Sequence, residues 1–123
     1  MGALPSYAEQ FRVAVHGTVF GHRTEVVHRL HVGDRLILVP DPPGTDVPAV
    51  WVHAPGGDVL GHVPLNVAVW LAPWMLDGGR CQAEVEKVGG DDVESWRRLV
   101  IWIRCQVPRE VGRDWGRGMG EGG

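Results

Sequence analysis

The sequence predicts a small, mainly β domain of the α+β class: five or six short antiparallel strands in a closed or half-closed barrel, with one main helix before the last hairpin. Three observations predict it. Period-two alternation recurs in short runs bounded by glycine, proline and aspartate, as in "FRVAVHG", "AVWVH" and "RRLVIWIRCQV". One long apolar stretch, "PLNVAVWLAPWML", begins with a proline and stops at Asp77-Gly78-Gly79, the asymmetry expected of a helix. A chain of 123 residues is one domain by size and can bury a core without staples.

The elements follow in order. In "FRVAVHGTVF", Phe11, Val13 and Val15 share one face and Arg12, Ala14 and His16 the other, until Gly17 imposes a bulge or bend. Gly33-Asp34 turns into a buried strand, Arg35 to Val39, that stops by Pro40. Prolines 42, 43 and 48 stiffen the next loop. "AVWVH", "APGGD" and "VLGHV" read as strand, turn and strand. In the helix after Pro64, the core stripe is Leu65, Ala68, Leu71, Ala72 and Met75 or Leu76, with Trp70 on the opposite line. Pro73 kinks that helix or splits it into two short turns, because it cannot donate to Val69. Strands "RCQAEVEKV" (80–88) and "RRLVIWIRCQV" (97–107) complete the sheet, the second placing Leu99, Ile101, Ile103 and Cys105 toward the core. Residues 1–10 are then a lead, 11–107 the domain, and 108–123 a Gly- and Arg-rich flexible tail.

Composition excludes several classes. With 44% hydrophobic and 22% charged residues the chain is globular, and no apolar run approaches the roughly 20 residues of a bilayer span. The first residues lack the basic and apolar regions of a signal peptide, and two cysteines, Cys81 and Cys105, are too few for a disulfide scaffold. A cytoplasmic location and free thiols are the expectation. The net charge of -3 argues against strong nucleic-acid binding, but the six arginines after residue 94 face three acidic residues, so the C-terminal part is basic. No nucleophile elbow or phosphate loop is present, and Asp91-Asp92 falls in a turn. The expectation is therefore no enzyme, no cofactor and no metal: among the six histidines His28 and His31 have a plausible helical spacing, but no Cys-x-x-Cys knuckle lies near them.

The order of pieces resembles the HIRAN domain family. They are Gly17, "GDRLILV" (33–39), "DVPAVWV" (46–52), "GHVP" (61–64) and "LAPWMLDGG" (71–79), and the resemblance runs from about Phe11 to Cys105. It implies an OB-like barrel that binds single-stranded DNA or the 3'-hydroxyl end of DNA, in DNA repair or replication-fork processing, beside a separately encoded helicase or nuclease. It also implies a site at Thr45, Asp46 and His62. Here the chain departs from the family pattern: Thr45 stands where a stacking tyrosine is usual, Pro48 replaces an asparagine, Val13 and Ala14 replace an arginine and an aromatic residue, and Leu65 replaces a lysine.

Read from the residues, a second surface competes with that pocket. Trp102 shares a strand face with Arg98 and Arg104, a ring between two cations suited to a base and successive phosphates. The same face can instead pair across the sheet with Glu84 and Glu86, Trp102 packing beneath. Exposed Trp51 and Trp70 would serve the alternative class, a protein-interaction module that keeps the fold without the DNA-end pocket.

Overall fold

The computed structural model describes residues 9–42, 44, 47–90 and 92–106; the tail beyond residue 107, and Thr45, Asp46 and Asp91, lie outside them. Six strands alternate with two helices: β1 (Gln10–Ala14), α1 (Arg23–His28), β2 (Arg35–Pro40), β3 (Val50–His53), β4 (Val59–His62), α2 (Leu65–Leu76), β5 (Arg80–Val88) and β6 (Leu99–Gln106). They form one sheet in the order β1-β6-β5-β2-β3-β4, every neighbouring pair antiparallel. This is the predicted small α+β architecture, with the main helix before the last hairpin.

Closure is made just past β1. Val15 still donates to the Leu99 carbonyl of β6 (2.8 Å), but His16 turns to β4, giving its N–H to the His62 carbonyl and accepting that of His62. The two ends of the sheet thus meet. Gly17, at φ 75°, takes the chain away in a left-handed conformation that most side chains resist. Gly61 is fixed by the same meeting: a Cβ there would run into the His16 carbonyl oxygen and the Val15 side chain.

Alternation decides what is inside. Leu99, Ile101 and Ile103 of β6 are fully buried, and Val15, Val50, Val52, Leu60, Val63, Val85 and Leu71 join them. Each such side chain contributes roughly 1.5–3 kcal/mol over the exposed state. β2 departs from the expected buried strand. Leu36 and Leu38 face the core, whereas Ile37 is 49% and Val39 38% exposed, because only one side of this twisted sheet is covered there.

The helix begins and ends as predicted, with Pro64 and Asp77 as its caps. It runs through Pro73 as one helix, since Pro73 and Val69 both lie on the solvent side, where the carbonyl that lacks a donor meets water. The buried set is Ala68, Leu71, Ala72 and Trp74, while Leu65 is 55% exposed, which corrects the expected stripe. Trp74 turns inward because Gly79 leaves room: a Cβ at Gly79 would enter the indole ring. Trp70 is half-buried against Phe11 at 5.5 Å between ring centres. β6 starts at Leu99, not Arg97, because Ser95–Arg97 forms a 3-10 turn.

Candidate nucleic-acid interface

Closure of the barrel assembles a site that no single stretch of sequence contains. His62 and Trp51 are paired residues on β4 and β3, each flanked in the chain by buried residues, Gly61 and Val63 for the one and Val50 and Val52 for the other. Their rings meet edge to face at 5.7 Å, and His16 approaches His62 from the other side at 6.0 Å. His62 Nδ1 donates to the Val63 carbonyl (3.1 Å), so the opposite nitrogen, Nε2, stands over Gly17, 3.3 Å from where a Cβ would be.

Arg23 completes the group. As the first residue of α1 it donates to the Gly17 carbonyl (2.9 Å), and Thr24 donates to the carbonyl of buried Thr18 (3.0 Å), so two hydrogen bonds tie the helix to the loop leaving the closure. Val27, 1% exposed, anchors the helix from below. The Arg23 guanidinium lies 5.8 Å from the Trp51 ring centre and 5.6 Å from that of Phe20, within cation–π range of both. Its bond to Gly17 uses one of five N–H groups. Trp51 is held in turn by Asp41, whose Oδ1 accepts from the indole nitrogen at 2.8 Å.

Beside Trp51 and His62 opens a recess of about 240 Å³ walled by Val47, Pro48, Ala49, Val63, Leu65 and Ala68. It is smaller than the pockets of about 300–1,000 Å³ that take drug-sized ligands, and matches one flat ring better than a large molecule. Thr45 and Asp46 precede this wall in the chain and lie outside the described residues.

The outer face of β6 is built differently. Trp102 sits opposite Arg12 of β1 and Glu84 of β5. Arg12 covers the ring at 5.1 Å and bonds Glu86 through Nε at 2.8 Å. The ring is thus covered by an arginine of β1 that reaches across the sheet to a carboxylate of β5. Arg98 does not join this arrangement: at the chain's entry to β6 its Nε donates to the Val93 carbonyl (2.9 Å), bracing the preceding loop. Arg104 is exposed on the Trp102 face, opposite Gln10 and Gln82. Of the six residues singled out from sequence, His62 enters the closure site, Trp102 and Arg104 share a separate face, Arg98 belongs to a loop, and Thr45 and Asp46 are outside the described residues.

Sequence reasoning missed His16, Arg23 and the role of Trp51. One signal was available: Val15-His16-Gly17 is the reverse of Gly61-His62-Val63, and reversed triplets can pair antiparallel with histidine opposite histidine. Among the described residues no cluster of three or more His, Cys, Asp or Glu could hold a metal ion, and no helix is long and apolar enough to cross a membrane.

The fold is thus a small antiparallel barrel with an aromatic and cationic cluster on its outer surface at the closure. No family model and no curated protein matches the sequence. Among solved structures the chain is similar to the crystal structure of the HIRAN domain of human HLTF, with a TM-score of 0.53 and 17% identity over 78% of this chain and 72% of that one. The fold is HIRAN-like.

Proposed function

We propose that the protein is a non-enzymatic nucleic-acid-binding module that receives single-stranded DNA, or the end of a strand, at the barrel closure. The observation that carries this reading is the convergence of Trp51, His62, His16 and Arg23 beside an apolar recess. Trp51 offers a ring for a base, Arg23 a guanidinium for a phosphate, and Asp46 a carboxylate for a terminal hydroxyl in keeping with the family resemblance. Trp51 thereby fills the need left by Thr45. Location inside the cell, in DNA repair beside a separate helicase or nuclease, belongs to the same proposal.

Titration of a fluorescent single strand ending in a 3'-hydroxyl, and of the same strand ending in a 3'-phosphate, at two salt concentrations tests it. Binding that Trp51→Ala and Asp46→Ala both weaken supports the closure site. No binding at low salt to single-stranded DNA or RNA would transfer the reading to a protein-interaction module. One observation favours that second reading: Leu65, Val69 and Leu76 are 55%, 50% and 44% exposed along the outside of α2, and the last two line a groove with Pro42, Pro48 and Pro73.

A further inference from the structure

Away from the closure, at the far end of β5 and β6, Cys81 and Cys105 are direct cross-strand partners with their sulfurs 3.6 Å apart. Both are free thiols. The Cys105 N–H points away from β5, to the Glu9 carbonyl at 2.8 Å, so the two cysteines face each other as a non-hydrogen-bonded pair. In such pairs the Cα atoms approach to about 4.5 Å and the side chains are closest, inside the range of about 4.4–6.8 Å that a disulfide spans. Cys105 is 8% exposed, whereas Cys81 is only half-buried and open to small reagents.

We propose that Cys81 and Cys105 are an oxidation site, a cross-strand dithiol that a low-molecular-weight disulfide converts to an intramolecular disulfide without displacing either strand. The chemistry balances as two exchanges. A thiolate of the pair attacks one sulfur of glutathione disulfide, beginning at the accessible Cys81, and releases one glutathione thiolate. The Cys105 thiolate then attacks the Cys81 sulfur of the mixed disulfide and releases the second glutathione. Two protein thiols are oxidised, one small disulfide is reduced to two thiols, and the two protons go to the solvent or the leaving thiolates. The second exchange suits the pair: the hydrogen bond from Cys81 lowers the Cys105 pKa, while that same bond, then burial, raises that of Cys81, so Cys105 is the more readily ionised sulfur and the better resolving nucleophile, whereas exposure alone makes Cys81 the entry point.

The proposal does not rest on the nucleic-acid reading, because the dithiol lies at the opposite end of β1 from His16. Its test is titration of the native protein with rising ratios of oxidised to reduced glutathione, followed by acid quench, unfolding, alkylation and intact mass. The expected result is a monomer that loses both alkylatable thiols together with two hydrogens and regains them with dithiothreitol. A staple across 24 positions should also raise the urea midpoint by about 1–2 M. Cys81→Ser and Cys105→Ser should each abolish that rise. Two alkylatable thiols at every ratio would overturn the proposal, as would a stable glutathione adduct or an intermolecular dimer in place of the internal bond.

Discussion

His16 and His62 exchange backbone hydrogen bonds of 2.8 and 2.9 Å while their rings stand 6.0 Å apart, so the contact that closes the sheet also positions the candidate site. Gly61 lies against it, with no space for a Cβ beside the His16 carbonyl. Gly61→Ala should destabilise the fold by about 1–3 kcal/mol through overpacking. Urea unfolding measures the loss. An unchanged midpoint would mean that closure is looser than this geometry.

Arg23→Ala should weaken single-strand binding and flatten the dependence of log K on log salt by about 0.7, the share of one single-strand phosphate. Arg23→Lys should keep the salt slope but lose stacking against Phe20 and Trp51, since an ammonium has no planar face. Titrations at four or five salt concentrations distinguish the two variants. An identical slope in wild type and Arg23→Ala would remove Arg23 from the interface.

Trp51→Ala should cost roughly 1–3 kcal/mol of binding by removing a base-stacking ring. Trp51→Phe keeps a ring and deletes only the 2.8 Å bond to Asp41, so most of the affinity should return. If phenylalanine binds as poorly as alanine, orientation by Asp41 matters more than stacking.

These variants concern residues that only partly announced themselves. The strands were legible because alternation in "VWVH" and "LVIWIRCQ" carries its own inside and outside. Helix α1 was not, because six residues, one of them buried and with no capping side chain, leave no period to read. The face of α2 was ambiguous for the opposite reason: it is apolar nearly all round, and the contact of Trp74 with Gly79 decides which side turns inward. His62 was visible through its Gly-His-Val-Pro setting, but Arg23 and Trp51 reach it only through the curl of the sheet. Arg98 looked like a neighbour of Trp102 because strand parity was extended past Leu99, where a 3-10 turn had already broken it.

The Trp102 face supplies the counter-test. Arg12 covers the indole and is itself bonded to Glu86, so Trp102→Ala should leave single-strand affinity within about 0.5 kcal/mol of wild type while lowering stability through lost packing. Fluorescence titration and urea unfolding on the same variant separate the two effects. A loss of affinity comparable to that of Trp51→Ala would move the interface to β6.

Pairing of β1 with β6 also governs how the chain can fold. Gln10 faces Arg104 and Val13 faces Ile101, so β1 has to wait for β6 to be synthesised before its ladder exists. β2, β3 and β4 can pair as neighbours in the meantime, leaving Phe11, Val13 and Val15 on an unpaired edge. Such a high contact order implies slow assembly, with the His16–His62 closure among the late steps. The nascent chain is then exposed to wrong pairing for as long as β6 is missing.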